Sequence, residues 1–195
     1  MKIAIPAETD KTEPRVAATP ETVKKFTALG ADVGVQSGAG KGSAIGDNDY
    51  KDAGASIAKG ADTLLKDADI VLTVRRPDDK TFAMCKKGAL VIGIMDPYGN
   101  EAALAAAAKA GVSSFAMELM PRITRAQVMD VLSSQANLAG YRSVIDASEA
   151  FGQALPMMMT AAGTVPAAKV FVMGAGVAGL QAIATAKRLG ARVEA

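Results

Sequence analysis

Histidine and tryptophan are both missing from this 195-residue sequence, and cysteine occurs once, as Cys85. Without an imidazole there can be no Ser-His-Asp triad and no histidine metal ligand. One cysteine makes neither an internal disulfide nor a structural zinc site, and a lone thiol fits a reducing compartment. Any general acid or base must therefore be a carboxylate, a lysine, a tyrosine or the single thiol.

Long runs of one charge sign and long hydrophobic runs are missing too. Lys plus Arg number 22 against 20 for Asp plus Glu, a net charge of +2, so we expect no binding to nucleic acid. The most hydrophobic region, residues 153–186, is broken by prolines and glycines and offers no transmembrane span of about 20 apolar residues. No signal peptide is visible, and we expect a soluble protein without membrane insertion of its own.

Short β-branched runs alternate with Ala-, Lys- and Glu-rich stretches through the first 118 residues. The alternation predicts strands at residues 2–6, 32–36, 70–74, 90–94 and 112–117. The stretches between the strands predict helices, such as those at residues 20–29 and 100–110. Thr19 is the expected N-cap of the first helix, and Gly30 is expected to end it. Repeated strand-helix-strand units are typical of a parallel α/β sheet, so we predict a Rossmann-like first domain.

A strand, a turn and a helix are predicted where residues 168–173 run into Gly174-Ala175-Gly176-Val177-Ala178-Gly179 and on to residue 190. In a G-x-G-x-x-G turn of this kind, Gly174 makes the tight turn and Gly176 lets a pyrophosphate approach the backbone. Gly179 lets the helix pack closely on the strand, and the phosphates bind the free N–H groups at the helix N-terminus. The flanking patterns favour a dinucleotide site at Gly174, Gly176, Val177 and Gly179 over a purely structural turn.

The residues after Gly190 predict the opening of a second parallel strand. The acidic residue that binds the adenosine ribose normally follows such a strand, about 20 residues on. Glu194 is near that spacing but is predicted to lie inside the strand, so we expect no ribose contact from it. Because a nucleotide-binding half needs a further strand, we expect these 195 residues to be the front portion of a longer protein.

The glycine-rich stretch Gly38-Ala39-Gly40-Lys41-Gly42-Ser43 fails the pattern of a phosphate-binding P-loop. That motif, G-x-x-x-x-G-K-[ST], needs glycine at position 35 and Ser or Thr at position 42, where the sequence has Val35 and Gly42. We predict a turn or loop at this stretch.

Two arginines are candidates for a shared crevice, because Arg15 follows the first predicted strand and Arg75 the third. The ends of neighbouring parallel strands converge on one edge of a sheet. The pair would suit an anionic ligand or a carboxylate partner, with a solvated salt-bridge pair as the alternative.

Polar residues also collect around a proline turn at Pro121, ahead of a long predicted helix that ends near Phe151. They are Arg122, Gln127, Asp130 and Ser133. Polar groups in a sequence otherwise heading for a core indicate either a binding site or a solvent-facing helix start.

These stretches together resemble the soluble NAD(H)-binding domain of the proton-translocating nicotinamide nucleotide transhydrogenases, in their alpha subunit or its separate first portion in bacteria. The matching motifs are Arg15-Val16-Ala17, Thr19-Pro20, Ser37-Gly38-Ala39-Gly40, Met117-Glu118, Pro121-Arg122-Ile123, Arg125-Ala126-Gln127, Leu132-Ser133-Ser134, Ala139-Gly140-Tyr141-Arg142 and residues 158–190. Alanine dehydrogenases are related and share the fold, the Arg15 motif and the glycine loop.

The resemblance implies roles for the polar residues near Pro121. In the transhydrogenases a loop with arginine, glutamine and aspartate reaches over the nicotinamide of bound NAD(H). Arg122, Gln127 and Asp130 occupy those positions and are the expected catalytic residues, with Ser133 beside them as a cofactor contact. Because the hydride belongs to the cofactor, the protein's task is to orient the ring and exclude water.

The resemblance also implies partners. Hydride would pass directly from NADH here to NADP⁺ on another domain, coupled to proton movement through membrane segments. The implied partners are the NADP(H)-binding beta subunit, the membrane domain and a second copy in a homodimer. The chain would lie in the cytoplasm, peripheral to the inner membrane through partner subunits, and we expect the 195 residues alone to be inactive.

Two other hypotheses stay open. An alanine dehydrogenase-like oxidoreductase would need the lysine and histidine that those enzymes use at the ends of the third and fourth strands. This sequence has Arg75 and Asp96 there, and an arginine stays protonated where a lysine can titrate. A non-catalytic fragment would bind NAD(H) weakly or not at all, because the glycine-motif strand and helix would expose an apolar face.

The predicted organisation has three parts. Residues 1–133 form the N-terminal α/β domain, residues 134–152 an interdomain helix, and residues 164–195 the start of a second Rossmann domain that binds NAD.

Overall fold

A six-stranded parallel sheet forms the centre of the first unit of this fold. The computed structural model describes all 195 residues, and the chain divides into two compact units, Met1–Pro121 and Arg122–Ala195. The strands of the sheet are β1 Lys2–Ile5, β2 Asp32–Gln36, β3 Ser56–Ala58, β4 Ile70–Arg75, β5 Leu90–Ile94 and β6 Ser113–Ala116. They lie in the order β3-β2-β1-β4-β5-β6. A sheet that grows outwards in both directions from its first strand is doubly wound, so the predicted Rossmann-like α/β fold is confirmed.

Helices connect these strands and cover both faces of the sheet. They are α1 Pro20–Ala28, α2 Asp47–Asp52, α3 Ala61–Leu65, α4 Asp79–Met84 and α5 Glu101–Ala110. Alternate residues of β1 enter different apolar clusters, Ile3 and Ile5 in one and Ala4 in the other. Because successive side chains of a strand point to opposite faces, the alternation places one core on each side of the sheet.

The ends of α1 agree with the sequence prediction. The Thr19 hydroxyl accepts a hydrogen bond from the Thr22 N–H at 3.4 Å, and Pro20 is the first helical residue. Proline suits that position because its missing N–H has no partner there in any case. Gly30 follows the helix with φ of +82°, a conformation that favours glycine.

The predicted turn at residues 38–43 is a turn followed by a short 3₁₀ helix, Lys41–Ser43. The Asp47 carboxylate accepts hydrogen bonds from the Gly38 N–H at 2.8 Å and the Ser37 hydroxyl at 2.6 Å. The Asp47 carboxylate therefore binds the donors of this loop that a phosphate would otherwise need. Asp47 also begins α2, a helix the sequence analysis missed, where acidic residues favour the positive N-terminal end.

The second unit begins with the long helix α6 Val131–Phe151, followed by an antiparallel hairpin of β7 Met158–Thr160 and β8 Gly163–Val165. A parallel unit follows, made of β9 Lys169–Phe171, α7 Val177–Arg188 and β10 Arg192–Glu194. The predicted strand, glycine turn, helix and second strand are confirmed, with Glu194 inside β10. The hairpin was not predicted. The domain boundaries predicted at residues 133, 152 and 164 stay predictions.

The core of the second unit is small. Val144, Ala182 and Ala186 are buried, while Phe171 at the end of β9 is 67% exposed and Met173 in the following turn 90%. None of the helices, not even the 21-residue α6, is long and apolar enough to cross a membrane.

Candidate functional site

The turn between β9 and α7 is held at both ends by main-chain geometry. The Val172 N–H donates to the carbonyl of Glu194 at 2.8 Å, which ties the end of β9 to β10. Gly174 then has φ of +104°, where residues with a side chain are strained. The turn therefore depends on glycine at position 174.

Gly179 brings the first turn of α7 against this loop. A Cβ atom at Gly179 would lie 1.9 Å from the carbonyl oxygen of Gly174, so no other residue fits. The closest approach is to the turn rather than to strand β9, where the sequence analysis expected it. Gly174 and Gly179 together fix the loop directly before the helix N-terminus.

Gly176 is the N-cap of α7 and leaves the helix end open. A Cβ atom at Gly176 would meet nothing within 4 Å, and no side chain caps the helix. The first turn also contains no acidic residue. Because the first N–H groups of a helix lack partners within it, this end can receive an anion such as a pyrophosphate.

A third glycine sets the position of α7 against α6. A Cβ atom at Gly140 would lie 2.1 Å from the carbonyl oxygen of Ala178, and the Asn137 amide donates to Gln181 at 3.2 Å nearby. No role for these residues was predicted from the sequence. The sequence did offer one indication of the contact, a glycine inside a predicted helix. Glycine lowers helix stability by about 1 kcal/mol relative to alanine, so its presence at position 140 indicates a packing requirement.

The head of α6 carries the predicted polar cluster. Asp130 is its N-cap, and its carboxylate accepts from the Ser133 N–H at 3.0 Å and from the Ser133 hydroxyl at 2.6 Å. The Arg122 guanidinium donates to the Ser133 hydroxyl oxygen at 3.1 Å and lies 3.6 Å from the Asp130 carboxylate. Arg122, Asp130 and Ser133 therefore form one network.

The electrostatics of this cluster favour an ionised aspartate. The hydrogen bonds from the Ser133 hydroxyl and N–H, with a smaller contribution from Arg122, hold the pKa of Asp130 below its usual value. The side chain of Asp130 is 14% exposed, whereas that of Arg122 is 69% exposed. The cluster thus presents a cation to solvent above a fixed carboxylate.

Gln127 is placed differently from the other three predicted residues. It lies in a 3₁₀ helix, Thr124–Met129, and its carbonyl oxygen accepts from the Asp130 N–H at 3.2 Å while its side chain is exposed. The structure therefore joins Gln127 to the cluster through the main chain. Gly140 follows Asp130 by ten residues, so the cluster lies about 15 Å along α6 from the contact with α7.

In the first unit the two predicted arginines bind the same carboxylate of the chain. Arg15 Nε donates to Glu13 at 2.6 Å, and Arg75 Nε donates to the same carboxylate at 3.1 Å. The predicted carboxylate partner is thus Glu13, a residue for which no role was predicted from the sequence.

Two family models together match nearly the whole chain. The family model described as "Alanine dehydrogenase/PNT, N-terminal domain" matches residues 4–139, and the model of the corresponding C-terminal domain matches residues 143–195. The first portion of NAD(P) transhydrogenase subunit alpha from Rhodospirillum rubrum is 54% identical over 200 residues, which cover 100% of this chain and 52% of that protein. Alanine dehydrogenase of Mycolicibacterium smegmatis is 32% identical over 197 residues, covering 99% of this chain and 52% of that protein.

A solved structure gives the same assignment. The crystal structure of transhydrogenase from Sinorhizobium meliloti superposes with a TM-score of 0.95 at 63% sequence identity, covering 99% of this chain and 57% of that chain. The chain therefore spans about half the length of the relatives it matches. These matches confirm the resemblance to transhydrogenases, with alanine dehydrogenases as more distant relatives, and the chain belongs to the alanine dehydrogenase/PNT family.

Proposed function

We propose that this chain is the NAD(H)-binding component of a proton-translocating transhydrogenase and that the dinucleotide binds in the second unit. The observation that carries the proposal is the open N-terminus of α7, where no side chain caps the helix and a Cβ atom at Gly176 would meet no protein atom within 4 Å. The names of the more similar relatives, all transhydrogenase proteins, support the same assignment.

The residues of the second unit fit a dinucleotide at two places. The pyrophosphate would bind the N–H groups of Val177 and its neighbours at the positive end of the helix, with Gly174 and Gly176 allowing close approach. The polar cluster at the head of α6 would hold the nicotinamide end. Bound NAD(H) would supply the hydride itself.

Each residue of the cluster has a distinct task in this proposal. Arg122 uses Nε and Nη2 in its contacts with Asp130 and Ser133, which leaves its Nη1 donors for a carboxamide or phosphate oxygen. Asp130 stays ionised at neutral pH and can accept a hydrogen bond from the carboxamide N–H₂ group. Gln127, exposed on the preceding turn, can add an amide contact. Together they would orient the ring, which is the protein's main contribution to hydride transfer.

The proposal includes partners. The hydride acceptor, NADP⁺, would be held by a beta subunit, and proton translocation would occur in a membrane domain. Relatives named as a "subunit alpha" support an assembly of several subunits. We also propose a homodimer in the cytoplasm that is attached to the inner membrane through those partners.

Alanine dehydrogenase activity is the alternative that the family leaves open. Such activity would require a titrating acid or base near the substrate. The chain has no histidine, and Arg75 is already hydrogen-bonded to Glu13. We therefore favour transhydrogenase.

A calorimetric titration of the chain with NADH and, separately, with NADPH tests the proposal. We expect NADH to bind; the acidic residue that distinguishes NADH from NADPH at the adenosine ribose is not expected within this chain, so no preference between the two is predicted. Adding an NADP(H)-binding transhydrogenase subunit should then give NADH-dependent reduction of NADP⁺. Oxidation of NADH with pyruvate and ammonia, forming alanine, would instead establish the dehydrogenase. Absence of any NADH binding would favour the non-catalytic fragment.

A further inference from the structure

One face of α6 carries both the polar cluster at its head and the contact with α7. The residues of this face recur at intervals of three and four positions, and they are Asp130, Ser133, Asn137, Gly140 and Val144. Side chains at that spacing lie on the same side of a helix. The first two belong to the polar cluster, whereas the last three contact α7 or share its small core. The two parts of the proposed dinucleotide site are therefore joined along this face.

Main-chain atoms of α7 limit the space at Gly140. A Cβ atom built there would lie 2.1 Å from the Ala178 carbonyl oxygen, 2.8 Å from its carbonyl carbon and 3.0 Å from its Cα. Backbone atoms inside a helix cannot turn aside as the end of a flexible side chain can. Ala178 is the second residue of α7, directly after the N-cap Gly176 and Val177. Gly140 thus fixes the place along α6 at which the open end of α7 lies.

A series of side-chain hydrogen bonds holds the same contact. The Asn137 amide donates to the Gln181 side-chain oxygen at 3.2 Å, and the Gln181 amide donates to the Thr185 hydroxyl oxygen at 3.1 Å. The Thr185 hydroxyl is buried and donates back to the Gln181 carbonyl at 2.8 Å. Because both ends of the Gln181 amide are bound, its oxygen is a fixed acceptor for α6. The bond from Asn137 therefore opposes sliding of one helix along the other.

The two parts of the proposed site are each built within one segment. The turn at residues 174–179 is set by the conformation of Gly174 and the close approach of Gly179. The polar cluster is set by hydrogen bonds among residues 122–133. Neither set of contacts fixes the distance between the turn and the cluster. Ser133 precedes Gly140 by seven residues, roughly 10 Å of helix, so a displacement of α7 along α6 changes that distance directly.

We propose that Gly140, Asn137 and Gln181 are positioning residues of the NAD(H) site, which set the distance between the pyrophosphate at the turn and the nicotinamide at the polar cluster. Their role rests on the proposed binding of NAD(H) in this unit. A ligand that spans both parts needs the correct distance between them, whereas a ligand that binds the turn alone does not. ADP-ribose is such a ligand, because it has the pyrophosphate of NADH but no nicotinamide.

The substitution Gly140→Ala tests the proposal by calorimetric titration of the whole chain with NADH and with ADP-ribose. The added methyl group forces α7 to move relative to α6. We expect the affinity for NADH to fall at least about tenfold and the affinity for ADP-ribose less than about twofold. Val144→Ala is the matched control, because it loosens the same helix contact by removing volume. It should change both affinities by the same factor.

A second pair of variants tests the hydrogen bond between the helices. Gln181→Met removes the acceptor at nearly constant volume, and the ratio of NADH affinity to ADP-ribose affinity should fall by about threefold. Gln181→Glu keeps an oxygen that can accept from Asn137, so its ratio should equal that of the wild type. The negative charge that Gln181→Glu adds acts on the pyrophosphate of both ligands and therefore leaves the ratio unchanged.

A selective loss of NADH affinity in Gly140→Ala and Gln181→Met, with the ratio kept in Val144→Ala and Gln181→Glu, supports the proposal. Equal losses for both ligands in Gly140→Ala overturn it and leave the proposed function in place. If Gly140→Ala does not fold, the same comparison in Gln181→Met decides. A wild-type chain that binds neither ligand contradicts the proposed function and the positioning role together.

Discussion

The connections that lead from β1 to α1 and from β9 to α7 start from the same arrangement, a parallel strand followed by a helix, and end differently. The first is long, residues 6–19, and its helix is capped by the Thr19 hydroxyl. The second is short, residues 172–176, and its helix is capped by Gly176 without a side chain. Charged side chains fill the sheet edge at the first connection, whereas main-chain atoms line the sheet edge at the second.

This difference shows that the strand-helix architecture alone does not make a binding site. What matters is whether the donors at the sheet edge already have partners. Glu13 accepts hydrogen bonds from Arg15 and Arg75 in the first unit, and Asp47 accepts one from the N–H of Gly38 in the glycine-rich loop. At Gly176 no internal anion takes that place, so an external one can bind.

The largest effect should come from closing the second turn with a methyl group. Gly179→Ala would place a Cβ atom 1.9 Å from the carbonyl oxygen of Gly174, so the helix or the turn must move. We expect a loss of about 3 kcal/mol of unfolding free energy, measured by urea denaturation. Gly176→Ala is the matched control, since its Cβ has room, and it should lose less than about 1 kcal/mol as an alanine N-cap.

The second effect concerns the Glu13 carboxylate and its arginines, whose contribution to the unfolding free energy should depend on pH. Hydrogen bonding to Arg15, assisted by Arg75, lowers the pKa of Glu13 from 4.5 to about 2. A lowered carboxyl pKa contributes stability that is present above pH 4.5 and is lost as the pH falls towards 2. We expect this contribution to be about 2 kcal/mol, reduced by the solvent exposure of both arginines.

Glu13→Gln removes the titrating group and tests this prediction. Its unfolding free energy should be lower than that of the wild type at pH 7, and the difference should shrink between pH 4.5 and pH 2. An unchanged difference across that interval would show that the ion pair does not stabilise the first unit.

The third effect should be on ligand affinity at the open edge. Gly176→Ala places a methyl group where we propose that the pyrophosphate approaches, so NADH affinity should fall at least about tenfold, or about 1.4 kcal/mol. Lys187→Ala, an exposed position at the other end of α7, is the control and should bind like the wild type. Equal affinities for Gly176→Ala and the wild type would remove the turn from the site.

The smallest effect should come from the head of α6. Ser133→Ala removes the hydroxyl that links Arg122 to Asp130, and we expect NADH affinity to fall by about threefold, in line with the loss of one modest hydrogen bond. Ser134→Ala is the neighbouring control, because the Ser134 hydroxyl donates to the carbonyl of Val131 within its own helix. A larger loss in Ser134→Ala than in Ser133→Ala would contradict the proposed nicotinamide contact.

Local patterns in the sequence predicted much of this fold. The bounds of β2 and β5 agree with the prediction, because both strands have clear apolar patterns and defined ends. The missed elements, such as β3 with three residues and α2 with six, are too short to show a period. The hairpin of β7 and β8 was missed for the same reason.

The sites divide in the same way. The glycine motif is contiguous, so the sequence predicted its strand, turn and helix directly. Glu13 is two residues from Arg15 but 62 residues from Arg75, and only the sheet order brings them together. The role of Gly140 could not be predicted without knowing that α7 packs against it. Contacts that depend on tertiary placement therefore lay beyond the sequence analysis.

The most direct test of the contrast between the two edges is the response of backbone amide signals to NADH, measured by nuclear magnetic resonance on the isotope-labelled chain. The account predicts that the N–H signals of Gly176 and Val177 shift on titration while those of Glu13, Arg15 and Arg75 do not. Shifts centred on residues 13–15 and 75, with residues 174–179 unchanged, would contradict it.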